Sequence, residues 1–434
     1  MQTGSDPLPP PLMTSTPGSF ARQTIVERKP QILREVSQAY PYPPDIQAAL
    51  AAFAVEIGAQ PIRPLAEDAP DRELWNAALA PFAGHTWLEV PWYLAETLFY
   101  RRLMEIVRFY QPGPWRDVDP FAPQKAAGLE RALPAFLPIL EQSAPDPQTA
   151  FTRMMHDALW GNLADLSNRT VTARADEGRL STDAGLGRQA DRRREDSLLI
   201  DDTPQIWRYL VHGPLVRVDL IADNSGLELL LDLRLVDFLL RAGLTRQVRI
   251  HLKRMPFFVS DAMVRDLHHT LHRCGAADSR GESPSPGQEF AARLRRAMEA
   301  GQLVLRDDPF WSTCLSYRGC TQPGCTQPPP EPMVEELAGS DLVLLKGDVN
   351  YRRLLDDRQW PHTAHMADIA AGFPAPFVAL RTLKGELIVD LQPGQAEALA
   401  ASDPTWLING QRGLVQFVNQ KGRHAQDPGA GRIR

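Results

Sequence analysis

Residues 220–240 read LIADNSGLELLLDLRLVDFLL. A short apolar run passes through Asp223-Asn224-Ser225-Gly226 into an apolar pattern too long for one strand. The sequence predicts a strand, a turn that Gly226 permits and then a helix, with Asp223 and Asn224 where the strand end faces a ligand. Taken alone, the Asp-Asn pair is read more simply as a helix cap, since both residues are favoured there.

Working outward, the chain changes character from about Leu215. Four short apolar runs, LVRVDLIA, QVRIHL, DLVLLK and FVALRT, alternate with helical stretches. That alternation predicts a largely parallel sheet with crossover helices, its Val/Leu/Ile-rich strands covered on both faces. Each run is followed by polar residues: Asp223-Asn224; Lys253 and then Ser260-Asp261; Lys346-Gly347-Asp348-x-Asn350; Arg381-Thr382 and Lys384. In open parallel sheets ligands bind beyond the carboxyl ends of the strands, so these residues are expected to share one site.

The residue types indicate a chemistry. Asp223, Asn224 and Asp261 form an all-oxygen set suited to Mg²⁺ or Mn²⁺, and a bound cation would let both carboxylates stay ionised. Lys346, Arg352, Arg381 and Lys384 form a cationic set of the kind that clamps phosphoryl oxygens. Acids, metal and cations together point to phosphoryl transfer to water. For any one base, a solvated surface charge is the commoner fate.

These stretches resemble the damage-control phosphatases, long known as domain of unknown function 89, and within them the branch once proposed to be protein acidic-residue methyltransferases. The resemblance rests on DNSGLE (223–228), FFVSD (257–261), KGDVNYR (346–352) and RTLK (381–384), the last matching that branch's Arg-Thr-x-Lys signature. GHTWLEVPWYLAETLFYRRL (84–103) and LWGNLADLS (159–167) extend it to roughly residues 50–417. It implies a three-layer α/β/α Rossmann-like core with an N-terminal helical subdomain, and a divalent metal at Asp223, Asn224 and Asp261. Substrate contacts would map to Asp223, Asn224, Asp348, Val349, Asn350, Tyr351, Arg352 and Lys384, and Glu228 would match a proposed methyl-donor contact. The implied activity is metal-dependent hydrolysis of sugar phosphates such as fructose 1-phosphate and fructose 6-phosphate, with Mn²⁺, Co²⁺ or Ni²⁺ favoured over Mg²⁺. The rival activity, S-adenosylmethionine-dependent glutamate O-methyl transfer, calls for a Gly-rich turn after the first strand, where DNSGLE has one glycine.

The remainder of the 434 residues sets bounds. Residues 1–44, rich in proline, are expected to be a flexible leader, and 45–167, with apolar residues at helical spacing, a helical subdomain. The charged segment 168–206 is expected to be a flexible connector, 207–420 the phosphatase core and 421–434 a flexible tail. A formal charge of -6 argues against general nucleic-acid binding while permitting a basic pocket for a small phosphate ester. Four cysteines, no signal-like start and no long apolar span predict a cytoplasmic protein without membrane segments.

Cys314, Cys320 and Cys325 lack the tight spacing of a zinc knuckle and read as a loop. His268 and His272 read as surface residues, and His362 and His365 as a loop pair. Trp92, Glu96, Tyr100 and Leu103 have the spacing of a packed helix rather than a nucleic-acid stacking platform. Glu96 and Arg101-Arg102 remain candidates to reach the crevice, with Trp160, Asn162 and Asp165 as its supports.

Overall fold

The computed structural model describes residues 8–161, 196–213, 215–276, 283–319 and 328–419. The four expected runs are all strands: β2 (Leu215–Ile221), β3 (Thr245–His251), β5 (Leu342–Lys346) and β6 (Phe377–Thr382). Every residue of β5 and β6 is buried, as expected for strands with helices on both faces. Three further strands complete a seven-stranded sheet: β1 (Leu198–Asp201), β4 (Leu303–Arg306) and β7 (Gly413–Val418). The two outermost, β1 and β4, have four residues each, too short for an apolar run to announce them.

The strand order is β1-β7-β6-β5-β2-β3-β4. All neighbours are parallel except β6 and β7, so the sheet is mostly parallel and the core is the α/β/α type the sequence predicts. From β2 the chain moves one way to β3 and β4, then returns to β5 on the other side of β2 and continues to β6 and β7. The reversal falls between β2 and β5, which makes their carboxyl ends the expected ligand crevice. Register brings those ends level: Ile221 lies beside both His251 and Leu345, and Lys346 beside Leu380.

Among the described residues the α-helices are α1 (Phe20–Gln23), α2 (Lys29–Ala39), α3 (Pro44–Ala59), α4 (Arg72–Leu79), α5 (Trp92–Ile106), α6 (Ala122–Phe136) and α7 (Pro147–Trp160), followed by α8 (Thr203–Val211), α9 (Leu227–Arg241), α10 (Val264–Ala276), α11 (Pro286–Glu299), α12 (Glu331–Ala338), α13 (Gly347–Leu355), α14 (Met366–Ile369) and α15 (Gln395–Ser402). Two apolar clusters fill the two sides of the sheet. A third, built mainly from residues 12–121, also takes in Met255, Phe257, Phe258, Val259, Met263, Cys314 and Val349. The helical part is thus bonded by burial to the loops at the strand ends.

Two boundaries need correction. From residue 8 onward the expected leader is packed structure: Leu12, Phe20, Ile25, Ile32, Leu33 and Val36 are buried. Residues 11–14 add backbone bonds from Leu12 N–H to the Asp357 carbonyl, from Trp92 N–H to the Leu12 carbonyl and from Thr14 N–H to the Val90 carbonyl. Proline density misled because Pro9, Pro10 and Pro11 accept bonds from Arg358 and Gln359, a role that needs no N–H. In the segment expected to be a connector, residues 198–206 supply β1 and the start of α8; residues 168–195 and the tail 421–434 lie outside the described residues.

Polar residues of α5 stay inside the helical part. Every residue from Trp92 to Met104 is buried, so its charges pair locally rather than reaching the crevice. Glu96 binds Lys29, whose ammonium also lies 4.5 Å from the Tyr100 ring centre; burial, opposed by Glu96, lowers Lys29 to about 8. Arg101 is held by Glu67 at 2.6 Å and Asp71 at 2.7 Å, and Arg102 by Glu105 and the Arg63 carbonyl. His268 and His272 are exposed, as expected. His362 bonds the Ile388 carbonyl and His365 bonds Asp390, each at 3.0 Å.

Candidate active site

The crevice is built from three turns. After β2, Ala222 N–H still bonds the His251 carbonyl (3.0 Å), and Asp223 and Asn224 then leave the sheet. Gly226, at φ +74°, caps α9 and makes the bend that the sequence assigns to it. The helix cap is therefore Gly226, with no side-chain cap bond, and the Asp223-Asn224 pair is not the cap that the simpler reading made it. Asn224 pairs with Asp261 in an isolated antiparallel bridge, the Asp223 carbonyl accepts from Ala262 N–H (2.7 Å), and Ser225 N–H bonds the Ser260 carbonyl (2.7 Å).

Asp261 is brought back to Asn224 by a backbone feature with no sequence signal. Phe258 and Val259 both have positive φ, +45° and +67°, a conformation that a β-branched residue adopts only under constraint, at a cost of about 1–3 kcal/mol each. The constraint is the helical part: Phe258 stacks on Tyr100 of α5, ring centres 5.1 Å apart, and Phe257 lies 5.8 Å from the same ring. The N-terminal helices thus hold the turn that presents Ser260 and Asp261.

Asp223, Asn224 and Asp261 are 5 %, 4 % and 1 % exposed. The Asn224 amide nitrogen donates to Asp223 (3.0 Å) and to Glu228 (2.8 Å), and its oxygen accepts from the Ser260 hydroxyl at 2.6 Å. Lys253, the base after β3, is buried with its ammonium 3.4 Å from Asp261. Among the described residues no three His, Cys, Asp or Glu side chains gather as a metal cluster. The candidate set has two carboxylates and one amide oxygen, brought from two turns by the Asn224–Asp261 bridge, and its hard-oxygen chemistry fits Mg²⁺ or Mn²⁺.

The third turn joins β5 to α13. Gly347 has φ +82°, and a Cβ there would sit 1.9 Å from an Asp223 carboxylate oxygen, so only glycine lets β5 lie against the acidic turn. Asp348 follows, bound by Arg352 and by Arg381 (2.7 Å from Nε, 2.6 Å from Nη2). Burial opposes ionisation of Asp348, but these two guanidiniums outweigh it and hold the carboxyl at about 2. Arg352 also binds Asp357 and lies 4.0 Å from the Trp92 ring centre. Gly385, just past Lys384, abuts Arg352: a Cβ there would meet Nη2 at 2.1 Å.

The other residues expected in the site are buried and have these partners. Lys346 is 1 % exposed and binds Glu228 at 2.7 Å, Asp232 at 2.9 Å and the Ala158 carbonyl at 2.6 Å. Asn350 donates to the Lys346 carbonyl, Tyr351 carries Arg381 4.5 Å above its ring centre, and Val349 is buried in the helical core. Trp160 packs against Gly413; Asn162 and Asp165 lie outside the described residues. Cys314 is buried, which pushes its thiol up to about 12, whereas Cys320 and Cys325 lie outside the described residues. Asp232 escaped the sequence reading because an acid inside LELLLDLRL looks like a solvent-facing position of an amphipathic helix; it is 1 % exposed, and burial pushes it up to about 7 against the pull of Lys346.

Comparison with known proteins identifies the family. The profile of the Damage-control phosphatase ARMT1-like domain matches residues 24–399. The chain is 33 % identical over 442 residues to Damage-control phosphatase ARMT1 of Mus musculus, covering 92 % of this chain and 96 % of that one. It is 32 % identical over 386 residues to the protein of the same name from Danio rerio (82 % of each), and 29 % identical over 442 residues to that of Homo sapiens (92 % and 96 %). A crystal structure of a DUF89 family protein from Pyrococcus horikoshii superposes with a TM-score of 0.46 at 14 % identity, covering 91 % of this chain and 97 % of that one, a likeness too loose to carry an argument. With the family profile matched over residues 24–399 and a relative 33 % identical over 92 % of its length, the chain belongs to the ARMT1-like damage-control phosphatase family.

Proposed function

We propose that this protein is a metal-dependent phosphatase that hydrolyses phosphate monoesters of sugars or of damaged phosphometabolites resembling fructose 1-phosphate and fructose 6-phosphate. Family membership supports a metabolite-repair hydrolase acting on a small molecule. The finer reading is carried by one observation: Asn224 faces Asp261 across an isolated bridge, beside Asp223, at the reversal of strand order.

Asp223, Asn224 and Asp261 would hold the divalent ion, which when bound would polarise the phosphoryl group and acidify water. Mn²⁺ is the first choice, with Co²⁺, Ni²⁺ or Mg²⁺ as alternatives. Asp261 orients the attacking water and takes its proton, a role open to a carboxylate within hydrogen-bond reach. Arg352, Arg381 and Asp348 form a rigid wall beside Gly347, and Lys384, buried next to Gly385, is the further base of the set. Arg352 and Lys384 hold the phosphoryl oxygens, with Arg381 acting mainly by fixing Asp348. Among the described residues no helix is long and apolar enough to cross a membrane. The cysteine content and the net charge of -6 support a cytoplasmic protein with no nucleic-acid partner.

Glutamate methyl transfer is disfavoured, because Glu228, the expected methyl-donor contact, has one carboxylate oxygen on Lys346 and the other on Asn224. The test incubates the full chain with a panel of sugar phosphates and each metal, and reads free phosphate with and without chelator. Chelator-sensitive release that disappears in Asp261→Asn is the expected result. Intact turnover in that variant, or no manganese uptake by calorimetry, would overturn the assignment.

A further inference from the structure

A buried chain of polar groups runs from the acidic turn into α9. Asn224 Nδ2 donates to Glu228 Oε2, Lys346 donates to Glu228 Oε1, and the same ammonium reaches Asp232 and the Ala158 carbonyl. Glu228, Asp232 and Lys346 are each 1 % exposed. The ammonium donates to the Ala158 carbonyl at 2.6 Å and to Glu228 at 2.7 Å and pairs with Asp232 at 2.9 Å, and at 1 % exposure it is turned into this buried set rather than toward a phosphate ester.

The same geometry decides which way the Asn224 amide points. Its nitrogen sits between two carboxylates, Asp223 and Glu228, while its oxygen meets the Ser260 hydroxyl. Reversing the amide would set its oxygen against both carboxylate oxygens, replacing two hydrogen bonds with repulsion. Lys346 sets a buried ammonium against Glu228 at 2.7 Å, and Asp232 lies 2.9 Å from the same ammonium.

We propose that Lys346 and Asp232 are positioning residues which, through Glu228, fix the Asn224 side-chain amide with its oxygen turned toward the Ser260–Asp261 segment. Lys346 is then removed from the phosphate clamp, and Glu228 serves as an orienting group. The proposal deepens the reading of Asn224 as a cation ligand, and rests on that reading only for its consequence for metal binding. Groups that orient first ligands typically change metal affinity about 10–100-fold when altered.

Two readouts separate the layers. In protein carrying ¹⁵N-asparagine, the Asn224 side-chain amide, assigned by its loss in Asn224→Asp, is expected to be protected from hydrogen exchange; Glu228→Gln should abolish that protection and Asp232→Asn should reduce it. This measurement needs no metal. Calorimetry with Mn²⁺ should show affinity at least about ten-fold weaker in Glu228→Gln and about three-fold weaker in Asp232→Asn, while inhibition by inorganic phosphate at saturating metal changes less than about two-fold. Both substitutions are near-isosteric, and circular dichroism confirms the fold of each variant. Unchanged amide protection in folded Glu228→Gln would overturn the proposal. So would an Asp232→Asn variant that loses phosphate affinity while keeping wild-type manganese binding, the pattern of a phosphate clamp. Wild-type protein that binds no manganese but shows Glu228-dependent amide protection would keep the positioning role and discard the cation reading.

Discussion

Arg381 is the residue whose replacement most directly tests the rigid wall. It is fully buried, gives one hydrogen bond to Asp348 with Nη2 2.6 Å from the same oxygen, one to the Leu387 carbonyl and one to the Gly385 carbonyl at 3.1 Å, and lies over Tyr351. Arg381→Met keeps the volume and removes all of these. Breaking a buried ion pair costs about 3–5 kcal/mol, and Arg352 remains on Asp348, which sets the lower end of that range. Two carbonyls losing their donors add about 1 kcal/mol after relaxation, for a total near 4 kcal/mol. Thermal melts and a double-mutant cycle with Asp348→Asn are the assay. The double variant should recover roughly 1–2 kcal/mol, because the stranded carboxylate has gone. Arg381→Lys should still lose about 2 kcal/mol, since an ammonium cannot span three acceptors held by a planar fork. A loss below about 1 kcal/mol in Arg381→Met, or strictly additive effects with Asp348→Asn, would refute the claim that this cluster is one cooperative unit.

Two further outcomes follow from the same turns. Asp348 is held at about 2, below its ordinary 3.8, so its ionised form contributes stability that is fully present above 3.8 and lost as pH falls toward 2. The loss is about 2 kcal/mol, and acid titration of stability should be correspondingly flatter for Asp348→Asn over that window. Gly347→Ala places a methyl group on the Asp223 carboxylate at a positive-φ position; calorimetry should find Mn²⁺ affinity down by more than about ten-fold.

Much of the core was legible because central parallel strands are continuous apolar runs, and LVRVDLIA, QVRIHL, DLVLLK and FVALRT stand out against their surroundings. Their polar sequels were legible for the same reason: an acid or base at once after a buried run marks a strand end. Short edge strands and the proline-rich residues 8–14 were not, since their partners lie far along the chain and their own composition resembles loop.

What the amino-acid order determined by itself is which residues stand at the ends of which strands, because hydrophobic periodicity and turn chemistry are local. Tertiary structure alone decided how those residues divide the work. The left-handed turn at Phe258-Val259 exists only because Tyr100 and its neighbours pack against it, and it is that turn which carries Asp261 back to Asn224. Lys346, Arg352 and Arg381 look alike as bases after strands, yet a buried charge takes its character from whichever acceptors surround it. For Lys346 those acceptors are Glu228, Asp232 and a helix carbonyl, contributed by segments more than a hundred residues away.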